Sequence, residues 1–261
     1  MAALKFFIPY RAPHPEGEIL AKSFLGATPA WHGDELGHNN MHYGILYAQD
    51  LRMRCKAQGK RWIHVDHGMF HRSSGLNKWD GYYRFSAECQ SNTYRTPSEN
   101  DRKRLDKLLS AGILRVSGYK PPQGGQILAY QPPSDHMRRF ANLPPNFDIV
   151  VKRVATDIWP NLEFRVYEKG PKQEDFYANL GAFASFGSTI SVECLQRGIP
   201  FLIAGNRNHM PGCNQVWAGE DKERMLALAY IAGRNFTVRE MQNGTALEHM
   251  MANGEIALEG K

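Results

Sequence analysis

The segment from Ala182 to Ile203 constrains the fold more than any other part of this chain. It reads as a short apolar strand (Ala182-Phe-Ala-Ser-Phe186), a Gly187-Ser188-Thr189 turn, a helix, and a new strand opening at Phe201. Ser188 is placed to cap the helix, Gly198 suits the position just past its end, and Pro200 blocks its continuation. Strand, helix and strand in immediate succession form the unit from which parallel sheets are built. Such a unit leaves amide N–H groups and the positive end of a helix dipole at the carboxyl edge of the sheet, where phosphate binds well.

The same grammar occurs twice. In the first half Leu4 to Pro9 predicts a strand, Tyr43 to Gln58 a helix ended by Gly59, and Arg61 to Asp66 a second strand. Ser98 followed by Asp101 resembles a capping box, and Leu105, Leu108 and Leu109 give the ensuing helix an apolar stripe up to Gly112. Tyr119-Lys-Pro-Pro-Gln123 is the most linker-like composition in the chain. The expected division is therefore near 118–125, between an N-terminal domain (1–119) and a C-terminal domain (120–261). The second half restarts with a strand at Gln126 to Tyr130 and a short helix or turn around Met137 to Phe140. Phe147 to Val154 fits either strand or helix; a strand at Leu162 to Tyr167 follows, stopped by Lys169-Gly-Pro171, and then a short helix at Phe176 to Leu180.

Composition narrows the class. With 261 residues, 42 % apolar and 22 % charged, the chain can bury a core and is not of the disordered or fibrous type. No apolar run approaches the roughly 18 residues of a membrane span, and the start lacks a secretory pattern, so a cytoplasmic protein with no membrane partner is expected. The 4 cysteines show no CxxC or zinc-knuckle spacing, which fits reduced thiols. The 32 basic residues outnumber the 26 acidic ones, a surplus that suits nucleic acid or phosphorylated small molecules without choosing between them.

Two clusters carry candidate chemistry in the first half. His64-Val-Asp66-His67-Gly68 ends a predicted strand, where an α/β active site places a general base, so Asp66 and His67 are the candidates. The run is also a fragment of the HxHxDH metal motif, but Trp62 stands where its first His belongs, and no metal site is predicted. A third reading makes these polar loop residues satisfied by the backbone. His71 and Arg72 are candidates for holding an anionic acceptor. Tyr82, Tyr83 and Arg84 interleave aromatics with a cation, a composition suited to stacking on a sugar or a flipped base, or to a core. Arg102, Lys103 and Arg104, with Lys107, Arg95, Arg138 and Arg139, form either a patch that tracks DNA phosphates or a solvated face.

In the second half Thr189, Glu193 and Arg197 share one helix face, which sets a carboxylate one turn beyond the phosphate-binding end. Glu193 can accept hydrogen bonds from ribose hydroxyls. In the alternative Ser188 only caps, Glu193 only pairs with Arg197, and nothing binds.

The run from Phe186 through Gly187-Ser-Thr189 and Glu193 to Gly198-Ile-Pro-Phe201 resembles the donor-binding segment of GT-B-type nucleotide-sugar glycosyltransferases. The tail Asp221 to Gly244 is similar to the closing helices of capsule-polysaccharide-type and phage-encoded relatives. The resemblance implies an α/β fold of two Rossmann-like halves with parallel sheets, the N-terminal half reduced and on the acceptor side. It implies that Gly187, Ser188 and Thr189 hold a donor pyrophosphate, that Glu193 contacts the ribose, and that Arg165 neutralises the leaving diphosphate, the alternative for Arg165 being a solvated strand residue. It implies a nucleotide-sugar co-substrate, no tightly bound cofactor, and catalysis without a metal. The acceptor is expected to be a hydroxyl, with a hydroxymethylated base in phage DNA as one choice. Transfer of a non-sugar group on the same scaffold, and a non-enzymatic DNA-binding protein, are the alternatives.

Overall fold

The computed structural model describes residues 4–8, 15–44, 48–68, 70, 81–87, 96–140, 142–167, 174–186, 188, 190–204, 216–217 and 221–257. Their elements in chain order are β1 (Leu4–Ile8), α1 (Pro15–Ser23), β2 (Ala27–Trp31), β3 (Asn39–Tyr43), α2 (Ala48–Ala57), β4 (Arg61–His67), β5 (Tyr82–Ala87) and α3 (Glu99–Ser110). The chain continues through β6 (Ile127–Gln131), α4 (Asp135–Phe140), α5 (Phe147–Ile158), β7 (Glu163–Val166), α6 (Glu174–Ala178), β8 (Leu180–Ser185), α7 (Ile190–Arg197) and β9 (Phe201–Ile203). It ends with β10 (Val216–Trp217), α8 (Asp221–Ala232), β11 (Asn235–Thr237), α9 (Val238–Gln242) and α10 (Thr245–Ala252). Two compact units result, one of Met1–Gln90, Pro97–Arg104 and Ile231–Lys261, the other of Ser91–Thr96 and Leu105–Tyr230.

The first unit carries a sheet in the order β2-β1-β3-β4-β5-β11. Its first four strands are parallel, and β5 runs antiparallel to both β4 and β11. Alternation along the strands sorts the side chains: Phe6, Met41, Ile63, Val65, Tyr83 and Phe85 face a core shared with Leu20 of α1, with Phe24 just past its end, and with Met241 and Met250 of α9 and α10. The opposite face buries Phe7, Ala30 and Trp62 against Leu51 and Cys55 of α2.

The C-terminal segment belongs to this first unit, whereas the sequence reading grouped it with the second half. β11 adds to the sheet edge with Phe236 opposite Tyr83. Asn39 clasps the backbone of Ala257, donating to its carbonyl at 2.8 Å and accepting from its N–H at 3.1 Å. Asp101, fully buried, accepts from Asn253 at 2.9 Å and lies 2.9 Å from the His249 ring nitrogen. The expected capping box is present, since Asp101 N–H donates to Ser98 Oγ at 3.1 Å and Ser98 N–H donates to Asp101 at 2.8 Å.

The second unit carries a sheet in the order β7-β6-β8-β9-β10, parallel throughout except for the two-residue edge strand β10. Both units thus begin with the same strand order, second-first-third-fourth, in which the connection reverses direction beside the first strand. In open α/β sheets ligands bind at that reversal, outside the carboxyl ends of the strands. Phe147 to Val154, open to either reading in the sequence, lies in α5, whose Val151 and Ala155 pack on Leu128 and Tyr130. The linker-like stretch is docked within this unit: Ser117 N–H donates to the Gln196 carbonyl at 2.7 Å and Lys120 N–H to that of Gly198 at 2.8 Å.

Candidate functional site

The reversal point of the second unit lies between β6 and β8, whose last residues, Gln131 and Ser185, are in register. From there the chain turns through Ser188 into α7. Ser188 N–H donates to Ser185 Oγ at 3.2 Å, and Ser188 Oγ accepts from Ile190 N–H at 3.2 Å, so the cap expected from the sequence is formed. At the other end Gly198 adopts φ +71° and Ile199 N–H donates to the Cys194 carbonyl at 3.0 Å, closing the helix with a Schellman turn. A Cβ on Gly198 would lie 2.0 Å from the Gly118 carbonyl oxygen, so close docking of the linker also requires glycine. Ile190, Val192, Cys194 and Leu195 are buried and fix the helix against the sheet. Its positive end is therefore held at the carboxyl edge. Gly187 and Thr189 lie outside the described residues.

Glu193 sits in the first turn of α7 and accepts a hydrogen bond from the Tyr177 hydroxyl of α6. The Arg197 guanidinium lies over the Tyr177 ring, 4.1 Å from its centroid. Glu193 and Arg197 both converge on a tyrosine that sequence spacing does not reveal. Burial and the bond to Glu193 push the Tyr177 hydroxyl well above the ordinary tyrosine range, which keeps it a donor. Arg165 is solvent-exposed and makes a two-pronged pair with Glu163 at 2.8 and 2.7 Å, the solvated-strand arrangement rather than one directed at a ligand.

Two further features of this edge were not singled out in the sequence. The Oε1 atom of Gln131 is buried with no hydrogen-bond partner, and Gln131 shares the α7 face of the sheet with its register partner Ser185. Tyr130 donates to Asp148 at 2.5 Å, and Arg138 pairs with the same carboxylate. Burial and that bond raise the Tyr130 hydroxyl strongly.

In the first unit Asp66, the penultimate residue of β4, is half-buried and 3.3 Å from Arg84 of β5. Arg84 thus holds the candidate base. The backbone of His67 pairs with Tyr83 in the sheet, while His71 and Arg72 lie outside the described residues. Gly68 permits a close approach, as its sequence context suggested, but the approaching group is protein backbone: a Cβ there would lie 2.2 Å from the Tyr82 carbonyl oxygen. His42 and His64, in register on β3 and β4, both point a ring nitrogen at the Gly44 carbonyl, at 3.0 and 3.1 Å. A carbonyl only accepts, so both nitrogens carry hydrogen, and His42 is the Nδ1–H tautomer. Burial first, with mutual proximity, lowers His42 to about 4; burial also lowers His64 to about 4, against the opposing pull of Asp66.

Two readings of the sequence are revised here. Tyr82 and Tyr83 are 6 % and 2 % exposed, because β5 lies inside the sheet between β4 and β11; they are core residues, not a stacking platform. Arg104 is not a surface cation. It is 6 % exposed, donates to the carbonyls of Ala232 and Asn235, pairs with Glu240 and stacks on Phe236. Arg102 and Lys103 do face solvent, Lys103 lying 3.9 Å from Glu99.

Among the described residues no group of three or more His, Cys, Asp or Glu side chains is placed to hold a metal ion. Also among them, no helix is long and apolar enough to cross a membrane.

These two sheets, their shared strand order and the capped helix at the second reversal make a Rossmann-like, GT-B-like α/β fold. The chain is similar to a solved structure of Thermosulfurimonas dismutans KpsC, beta Kdo 2,4 transferase, with TM-score 0.52 and 10 % identity, covering 88 % of this chain and 90 % of that one. A structure of the beta Kdo 2,7 transferase of the same KpsC aligns at TM-score 0.47 and 11 % identity, over 93 % of this chain and 99 % of that one. At 10 % identity the likeness to the 2,4 transferase structure establishes the fold alone. No family model and no curated protein matches the sequence.

Proposed function

We propose that this chain is a glycosyltransferase-like group transferase that uses a nucleotide-activated sugar and delivers it to a hydroxyl. The observation that carries the reading is the start of α7: Ser188 caps a helix whose positive end is held at the strand-order reversal, where a nucleotide diphosphate is bound in folds of this kind. Gly187, Ser188 and Thr189 take the phosphates and Glu193 the ribose. The unpartnered Gln131 oxygen supports the same place, since a buried acceptor without a donor is costly until a ligand N–H or O–H fills it. The Kdo transferase named among the structural neighbours is in keeping with a sugar donor.

For the acceptor hydroxyl we assign Asp66, which pairs with Arg84, as the base that takes its proton. A hydroxymethylated base in phage DNA is the acceptor we assign first. It rests on the +6 charge and on the exposed Arg102, Lys103 and Lys107 of α3.

The test is a thermal-shift panel of nucleotide sugars and free nucleotides, with and without DNA carrying hydroxymethylated bases. Stabilisation by a nucleotide that is lost in Ser188→Ala/Thr189→Ala supports the reading. Absence of any nucleotide shift overturns it, and a shift with DNA alone points to the DNA-binding alternative.

A further inference from the structure

We propose that Tyr177 is a positioning residue for Glu193, holding its carboxylate where it reads the ribose hydroxyls of the donor; this rests on the function proposed above. The geometry is a three-part clamp across α6 and α7. The Tyr177 hydroxyl donates to Glu193, and the face of the same ring carries the Arg197 guanidinium at 4.1 Å. Glu193 and Arg197 are four residues apart, about 6 Å along the helix, which is roughly the length a tyrosine ring and its hydroxyl span. One ring can therefore engage both.

The ring itself is anchored to the sheet. Tyr177 packs on Phe176 with centroids 5.1 Å apart, Phe176 packs on Tyr167 at 4.8 Å, and Tyr167 N–H donates to the Tyr130 carbonyl at 2.7 Å. The orientation of Glu193 is thus tied, through three aromatic rings, to the carboxyl edge of β6 and β7. Tyr177 is 7 % exposed. Its hydroxyl remains protonated under ordinary conditions because burial and the carboxylate both oppose ionisation. A carboxylate offers about four lone-pair positions, and the Tyr177 bond fixes its direction by occupying one of them.

The experiment measures Kd of ADP, GDP, CDP and UDP, and of their 2′,3′-dideoxy counterparts, for the wild type, Glu193→Gln, Tyr177→Phe and the double variant. Hydrogen bonds to a charged group imply a wild-type preference for ribose of about tenfold or more for the nucleotide that binds. Both single variants are expected to reduce that preference to about threefold or less, leaving the dideoxy affinity within about twofold, and the double variant to be no worse than Glu193→Gln. A purely structural role for Tyr177 would weaken both ligands together and leave the ratio intact. Tyr177→Met, which keeps bulk without ring or hydroxyl, repeats the measurement should Tyr177→Phe fold poorly.

If Glu193→Gln loses the preference and Tyr177→Phe and Tyr177→Met keep it, the positioning role is wrong and the function stands. If the wild type binds none of the four diphosphates, or binds both sugar forms equally, the assigned role of the site falls and this inference falls with it.

Discussion

Arg104 grips Glu240 with two bonds, Nη1 to Oε1 at 2.8 Å and Nη2 to Oε2 at 2.9 Å, between a helix of the N-terminal half and the C-terminal segment that completes the first unit. Neighbouring hydrogen bonds hold Glu240 ionised despite its burial. Removing one partner of such a pair leaves a buried charge unmatched, at a cost of about 3–5 kcal/mol. Arg104→Ala should destabilise the protein by that order in urea unfolding, whereas Arg102→Ala and Lys103→Ala, on the solvent side of the same helix, should stay within about 0.5 kcal/mol.

That contrast also shows what the sequence discloses. Asp101, Arg104, Leu105 and Leu108 fall at helical spacing on one stripe, so the inward direction of Arg104 was legible once the stripe of leucines was extended to include it. Reading the run as a basic cluster hid the period. The α7 unit was legible in full, cap to Schellman turn, because each signal is local. β2, β3 and β11 were not. Asn39, Asn40 and His42 are fully buried in β3, and polar residues break the apolar pattern by which a strand is recognised. Their partners are remote: Asn39 bonds Ala257, 218 positions away. Tyr177 was invisible for the same reason, since only folding brings it to Glu193.

The two histidines predict a pH dependence. Both are held neutral, with folded values of about 4 against an ordinary 6.5. The unfolded chain therefore binds more protons than the folded one between these values, so stability is full above pH 6.5 and is lost as pH falls toward 4. Asp66, Arg84 and His32 are the charged or titratable neighbours. A His42→Gln/His64→Gln variant should show a flatter stability profile than the wild type across this window, measured by urea midpoints at fixed ionic strength.

Gly198 is constrained twice, by φ +71° and by the 2.0 Å approach of the Gly118 carbonyl. Left-handed backbone alone costs a non-glycine residue about 1–2 kcal/mol, and backbone cannot yield as a side-chain tip does. Gly198→Ala should lower stability by more than about 2 kcal/mol and undock residues 117–120, seen as faster amide exchange at Ser117 and Lys120, whose N–H groups now bond the helix end.

Gln131 separates binding from folding. Replacing a buried, unpartnered oxygen by an apolar group of similar shape is near neutral or stabilising, so Gln131→Met should leave the unfolding midpoint unchanged or raised. Nucleotide affinity should nevertheless fall by about tenfold, since the ligand loses its acceptor. Unchanged affinity would remove Gln131 from the site.

Binding of an activated donor's phosphates at the start of α7 can be measured by titration calorimetry. The nucleotide that stabilises the wild type most is titrated into wild type and Ser188→Ala/Thr189→Ala. The cap itself is worth about 1 kcal/mol of stability, so the variant remains folded. Saturable one-to-one binding to the wild type is expected, with at least about tenfold weaker binding to the variant. Equal affinity in the two proteins would place the nucleotide elsewhere and contradict binding at α7.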